Sequence, residues 1–307
     1  MKRPIHLLPR THRVTPDTLR ELPHGGQIVA CDFYVEGIER GDEVPGGYRQ
    51  GRIFNIDHHA PTPRMRRRVS STNLALARFE ADVPPVEEDP LVVINHIDCD
   101  SILSSGIMAG RLEADPRFGE AAIAADHTGA EDDIADLLQG LDAELSRRGV
   151  RDYEISFANL ERLLAHRQLD DLAMEALDAR RRKRDIAEAL VARGEFQVAG
   201  PLHFAIVEDP IDGEFFPALL PDATLIMVAN PLAADSSRWQ VKLRLGSAAP
   251  PGLSLADLAF HEFDPVYGGR WNAGSNRRGG GTNLDPEAYA ERLARRLAVQ
   301  LQEDGEP

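Results

Sequence analysis

The amino-acid sequence predicts an α/β protein in two parts: a mostly parallel sheet with crossover helices, then a smaller α/β C-terminal domain, joined by a helical connector. Three observations carry this expectation. Short continuous apolar runs recur in the first half, each ended at once by acidic or His residues. Helical stretches separate those runs. A long, highly charged helical segment then precedes a fresh set of strand-like segments.

The first runs are Gln27 to Cys31, Gly51 to Ile56 and Leu91 to Asn95. Apolar runs without alternation suit strands buried on both faces of a parallel sheet, and the stretches Ser71 to Ala81, Ser101 to Glu113 and Ala130 to Arg148 suit its crossover helices. From Ser156 to Gly194 the pattern is helical and charged, with the run Arg180 to Arg184 read as a solvated helix face. Strands are then expected near Gln197 to Val207, Ala223 to Ala229 and Trp239 to Leu245, with a final helix from Pro286 to Gln302. The expected domains are residues 1–155, a connector 156–194, and residues 195–307.

The chain has 307 residues, enough for two ordinary cores. Apolar residues make up 42% and charged residues 28%, which argues for a globular chain rather than disorder. A net charge of -15 disfavours broad wrapping of duplex nucleic acid, which needs a basic surface, but leaves room for a local basic pocket. No run approaches the roughly 20 apolar residues of a membrane span. Met1 to Arg20 is interrupted by Pro and Thr before any apolar stretch of signal length, so it reads as mature chain. The two cysteines, Cys31 and Cys99, are too few for a disulfide framework. These features point to a cytoplasmic protein with no membrane partner, its oligomeric state left open.

The residues that carry chemistry sit where the runs end: Asp32 after the first, Asp57, His58 and His59 after the second, and His96, Asp98 and Asp100 after the third. Ligands collect outside the carboxyl ends of parallel strands, so these side chains are expected to converge. A fourth apolar element, Ala121 to Ala125, adds Asp126. Carboxylates gathered in this way repel one another unless cations neutralise them. Mixed carboxylate and imidazole ligands without a thiolate pair fit Mn²⁺, with Co²⁺ or Mg²⁺ as alternatives. In a locally extended chain Cys99 would point away from Asp98 and Asp100 and pack beneath the site.

This set of motifs resembles the DHH phosphoesterase superfamily. The name-giving triplet is present as Asp57-His58-His59. Asp32 looks like the family's metal-bridging Asp, His96, Asp98 and Asp100 like its His and two-Asp motif, and Asp126 like its last ligand. The resemblance departs in order, since the His and two-Asp motif follows the triplet, and in length, since only Ile97 separates His96 from Asp98. The C-terminal part is similar to the domain associated with many DHH enzymes, through Trp239 to Ser247, a helix over Leu255 to Phe260, and the glycine motif Gly268 to Gly274.

The resemblance implies two divalent ions, with His96, Asp98 and Asp32 at one and Asp100, His58, Asp126 and Asp32 at the other. Asp57 would orient His58, and His59 would act on the substrate phosphate. Gly268, Gly269, Arg270, Asn272, Arg277 and Arg278 offer backbone and guanidinium donors to a phosphate. The expected activity is hydrolysis of a small phosphorylated substrate, a nucleotide or short single-stranded oligonucleotide, bound in a cleft between two domains. Exopolyphosphatase or pyrophosphatase activity, or a non-catalytic nucleotide- or RNA-binding role, are the alternatives.

Overall fold

A computed structural model describes residues 4–9, 13–81 and 89–303 of the chain, so part of the Met1 to Arg20 stretch lies outside the described residues. The chain divides into two compact units, Met1–Asp126 with Glu131–Arg180, and His127–Ala130 with Arg181–Pro307. No helix among the described residues is long and apolar enough to cross a membrane.

The first unit holds strands β1 (Ile5–Leu7), β2 (Ile28–Cys31), β3 (Asp42–Val44), β4 (Gly47–Gln50), β5 (Ile53–Ile56) and β6 (Leu91–Ile94), in the order β1-β6-β2-β5-β4-β3. The four strands β1, β6, β2 and β5 run parallel, whereas β4 and β3 extend the sheet antiparallel. The sheet is therefore mixed rather than mostly parallel. The reason is local: Gly46 and Gly51 take left-handed conformations in short turns, and short turns can join only antiparallel neighbours. Every residue of β2 and β5 is buried, as their unbroken apolar runs require.

Its helices are α1 (Pro16–Arg20), α2 (Ser71–Glu80), α3 (Cys99–Met108), α4 (Pro116–Ile123), α5 (Asp133–Arg147) and α6 (Tyr153–Leu164), followed by α7 (Asp171–Ala192). Ser70 with Asn73 and Asp98 with Ser101 form capping boxes that start α2 and α3. All of α3 is buried. The apolar element Ala121 to Ala125 is helical, as its alanines favour, and α4 passes into a π-helical turn over Ala124–Thr128. In the basic run on α7, Arg180 and Arg184 are buried instead of solvated. Arg180 pairs with Asp136 at 3.1 Å and Arg184 donates to the Gly129 carbonyl at 2.7 Å, while residues 181–183 are exposed.

The second unit carries β7 (Gln197–Ala199), β8 (Leu202–Ile206), β9 (Leu225–Leu232), β10 (Asp235–Leu245), β11 (Gly268–Gly269) and β12 (Ala273–Ser275), ordered β11-β12-β10-β9-β8-β7. Only β8 and β9 are parallel. The single strand expected over Gln197 to Val207 is a hairpin turning at Gly200, and the helix expected over Leu255 to Phe260 begins as a 3₁₀ turn, Leu255–Leu258. After the short α8 (Phe216–Leu219) and the long β9–β10 pair, α9 (Pro286–Glu303) closes the chain. Alternation splits β9 between two cores: Leu225, Met227 and Ala229 pack with Tyr289, Leu293 and Leu297 of α9, and Ile226 and Val228 with Ala187 and Leu190 of α7.

Asn55 in β5 ties the first unit together. Its amide donates to the carbonyls of Ala30 and Phe33, and its oxygen accepts from Val35 N–H, all buried. Asn55→Ala leaves these groups without partners and is expected to cost about 2–4 kcal/mol of stability, read as a lower urea midpoint at unchanged slope.

Candidate metal centre and basic cavity

The β2 strand ends in a turn at Asp32, whose φ of 59° is left-handed and unfavourable for a residue with a Cβ. The conformation is held from both sides, by the Asp32 N–H bond to the Ile56 carbonyl (2.9 Å) and by the Asn55 bonds to Phe33 and Val35. As a result the Asp32 carboxylate is buried at the carboxyl end of the parallel strands. β5 brings Asp57, His58 and His59 to the same end, and β6 brings His96, Asp98 and Asp100. Asp126 arrives from the π-helical turn rather than from a strand.

Asp32 faces two groups of side chains with its two oxygens. Oδ2 lies 3.0 Å from His96 Nε2, which is also 3.1 Å from Asp98 Oδ2. Oδ1 lies 3.8 Å from His58 Nε2, which is 3.2 Å from Asp126 Oδ2 and 3.7 Å from Asp100 Oδ2. The donor atoms of Asp32, His96 and Asp98, and those of His58, Asp100 and Asp126, each lie within 4.8 Å of one another.

Two side chains outside the sequence-based set hold this arrangement. The Asp100 carboxylate accepts from the N–H groups of Ser71 and Thr72 (2.7 Å each) and from Thr72 Oγ1 (2.6 Å), at the N-terminus of α2, where backbone donors are unfilled. Ser71 Oγ donates to Asp32 Oδ1 at 2.9 Å. The run Ser70-Ser71-Thr72-Asn73 marks a helix start in the sequence, but nothing local says that its donors reach Asp100. Cys99 does not lie in an extended segment, because α3 begins there; Asp98 is its N-cap and Asp100 falls in its first turn. The Cys99 thiol is buried, and burial, with the carboxylates beside it, pushes its pKa well up.

The orientation expected for Asp57 differs as well. Its Oδ1 accepts from His59 Nδ1 at 2.6 Å, so it holds His59 and not His58. His58 Nδ1 is held at 2.6 Å by the Val69 carbonyl. Burial raises the Asp57 pKa, but the charge and hydrogen bond of His59 outweigh it and keep the carboxylate below its usual range. Asp57 Oδ2 is buried without a hydrogen-bond partner among the described residues.

A carbonyl only accepts, so His58 Nδ1 carries a proton and Nε2 faces the three carboxylates. A neutral ring would aim a lone pair at anions there. The ring either takes a second proton or ligates a cation. Without a cation, burial lowers its pKa, but Asp126, Asp100 and Asp32 outweigh that and push it up to about 10. Asp32 is raised well above the ordinary range by burial and by the charges of Asp100 and Asp98. His96 is raised too: burial opposes protonation, but Asp98 and Asp32 prevail. A mixed oxygen and nitrogen donor set, an imidazole fixed through its far nitrogen, and carboxylates whose repulsion needs positive charge together fit divalent ions of the Mn²⁺, Co²⁺ or Mg²⁺ kind.

The second unit contains a cavity of about 680 Å³. Gly268, Gly269, Arg270, Arg277 and Arg278 line it, joined by Lys242 and Arg244 of β10. A Cβ on Gly269 would come within 2.3 Å of Gly274 Cα, so glycine permits the close approach of β11 and β12. Asn272 does not line the cavity: it is buried, with its amide nitrogen 3.2 Å from His127 Nδ1. Lys242 and Arg244 were legible only as the polar half of the alternation Gln240-Val241-Lys242-Leu243-Arg244-Leu245.

No family model matches the chain, and no curated protein is similar to it in sequence. Solved structures resemble it in part, among them the following two. One is a pGpG-specific phosphodiesterase, PggH, from Vibrio cholerae, at 14% identity and a TM-score of 0.44, covering 72% of this chain and 82% of that one. The other is an exopolyphosphatase-related protein from Bacteroides fragilis, at 14% identity and a TM-score of 0.38, covering 89% of this chain and 73% of that one.

Proposed function

We propose that this chain is a DHH-type phosphoesterase, with a catalytic domain over residues 1–155 and a substrate-binding domain over 195–307, that hydrolyses a phosphoester or phosphoanhydride bond of a small phosphorylated substrate. The observation that carries the reading is Asp32, whose two carboxylate oxygens face two different sets of ligand-type side chains. In this reading Asp32 would serve two divalent ions, which His96 and Asp98 on one side and His58, Asp100 and Asp126 on the other would help to hold. When bound, such ions stabilise charge on the phosphoryl oxygens and lower the pKa of an attacking water.

The chain's own residues do the rest. The Val69 carbonyl and the α2 N-terminus keep His58 and Asp100 in place, so little reorganisation is needed on binding. Asp57, ionised, holds Nδ1–H of His59 and leaves Nε2 of that ring to exchange a proton. His59, partly exposed beside Asp32, is the group that protonates the leaving oxygen. Arg270, Arg277 and Arg278 supply charge-assisted hydrogen bonds to substrate phosphate.

The reading is tested by elemental analysis of the Mn²⁺-loaded protein together with a phosphate-release screen over phosphorylated substrates. Two ions per chain and hydrolysis are expected, and Asp32→Asn is expected to lose both. Absence of bound divalent metal in active protein, or full activity in Asp32→Asn, overturns it.

His59→Ala is expected to keep its metal content while turnover falls by about 10²–10⁴-fold, the usual scale of general acid catalysis. Loss of a metal equivalent in this variant would make His59 a ligand instead.

The pH dependence of the metal-free protein follows from His58. Its pKa is raised on folding, so the stabilisation it contributes is complete below its unfolded value of 6.5 and is lost as the pH climbs through about 10. The melting temperature of chelator-treated protein should therefore fall from pH 7 to pH 10 more steeply than that of His58→Gln, measured by scanning calorimetry. Parallel profiles would remove His58 from that role.

A further inference from the structure

The floor of the second-unit cavity has a chemistry different from its arginine wall. Gln240, Lys242 and Arg244 alternate along β10 and so share one face of the sheet, beside Val228 and Ile226 of β9. Lys242 Nζ donates to the Ile211 carbonyl at 2.6 Å and thereby ties the segment carrying Asp212, Gly213 and Glu214 to the cavity rim. Five cationic side chains thus line the cavity together with two carboxylates and the apolar side chains of Ile226, Val228 and Val266.

Gln240 offers this lining both a donor and an acceptor. It is only 4% exposed and lines the cavity, and its side-chain amide makes no hydrogen bond to a described residue but stays open to the cavity's solvent. A ligand that fills the cavity displaces solvent from this amide, so one that pairs with both its donor and its acceptor is favoured. A phosphate offers only acceptors, which would leave the Gln240 oxygen unmatched, and the cavity already has Arg and Lys donors for it. A nucleobase edge places donors and acceptors side by side, the pattern that a glutamine amide pairs with. Asp212 and Glu214 act in the same direction. Asp212, paired with Lys183 at 2.9 Å, and Glu214 carry negative charge to the rim, which disfavours a ligand that is anionic along its whole length.

We propose that Gln240 is a specificity-determining residue that reads the base of a nucleoside phosphate. The base lies over Ile226 and Val228, and its phosphate lies toward Arg277 and Arg278. The cavity is within the range of roughly 300–1,000 Å³ typical of small-ligand sites. This inference rests on the reading of the chain as acting on small phosphorylated ligands, and within that reading it selects nucleotides over inorganic polyphosphate.

The test is calorimetric binding to the full-length protein in EDTA, so that neither metal nor turnover contributes. The probes are AMP, GMP, CMP and UMP, ribose 5-phosphate as the base-less control, and inorganic tripolyphosphate. At least one nucleoside monophosphate is expected to bind about tenfold more tightly than ribose 5-phosphate, the scale of one matched hydrogen-bonding group. Gln240→Leu is expected to erase that preference and leave ribose 5-phosphate binding unchanged. Arg278→Ala, on the exposed wall where folding is not at risk, should weaken both kinds of phosphate probe alike. The inference is overturned if no nucleotide exceeds ribose 5-phosphate, if tripolyphosphate binds more tightly than every nucleotide, or if a folded Gln240→Leu or Gln240→Glu variant keeps the wild-type preference. A base-dependent affinity without metal-dependent hydrolysis would sink the phosphoesterase reading and leave this one standing, whereas hydrolysis without base preference would do the reverse.

Discussion

Mutual repulsion among Asp32, Asp98, Asp100 and Asp126 is the constraint around which the first unit is arranged. Three of these carboxylates are buried and the fourth is largely so. Carboxylates in this setting are costly unless hydrogen bonds and positive charge offset them. Each finds part of that offset in the protein: Asp100 at the N-terminus of α2, Asp98 as the cap of α3, Asp32 in the Ser71 hydroxyl and His96, and Asp126 against His58. What these donors leave uncompensated is the physical motive for proposing divalent ions.

The fold makes this concentration of charge tolerable by spending apolar burial beneath it. β2, β5 and the whole of α3 are buried, as is β6 after its first residue, Leu91, and the polar residues that follow the strands emerge at one place. The left-handed turn at Asp32 is one cost of that arrangement, and Asn55 offsets it by bonding the backbone on both flanks. Strain of this type persists only where neighbouring contacts over-determine it. The two histidines of the triplet are separated in role by their partners. A carbonyl fixes His58 toward the carboxylates, while a carboxylate fixes His59.

In the second unit the same economy appears in a sheet rather than at strand ends. Alternation along β10 sends Val241, Leu243 and Leu245 into the core beneath α9 and leaves Gln240, Lys242 and Arg244 on the opposite face. One strand therefore contributes both to stability and to a binding surface. The glycines of β11 and β12 let two backbones approach closely, which brings the exposed Arg277 and Arg278 to the cavity.

The inventory of candidate ligands was legible in the sequence, because apolar runs such as Ile28–Cys31 and Leu91–Ile94 are local signals of buried strands, and the polar residues after them must emerge at strand ends. Helix starts at Ser71 and Cys99 also lie within a residue or two of what capping patterns and periodicity indicate. The antiparallel edge β3–β4 was missed although Pro45-Gly46-Gly47 marks its turn, since two short, half-polar strands carry little periodicity. Which group holds which was decided only by the tertiary structure. Asp100 meets Ser71 and Thr72 across 29 and 28 positions, and His58 meets the Val69 carbonyl across 11. Asp57 turns to His59, and Asp126 rides on a π-helical turn in a stretch whose composition resembles any alanine-rich helix. Local composition sets which residues lie at an element's end, but hydrogen bonds between distant segments set the direction in which each carboxylate oxygen and each ring nitrogen points, and the chemistry of the site depends on that direction.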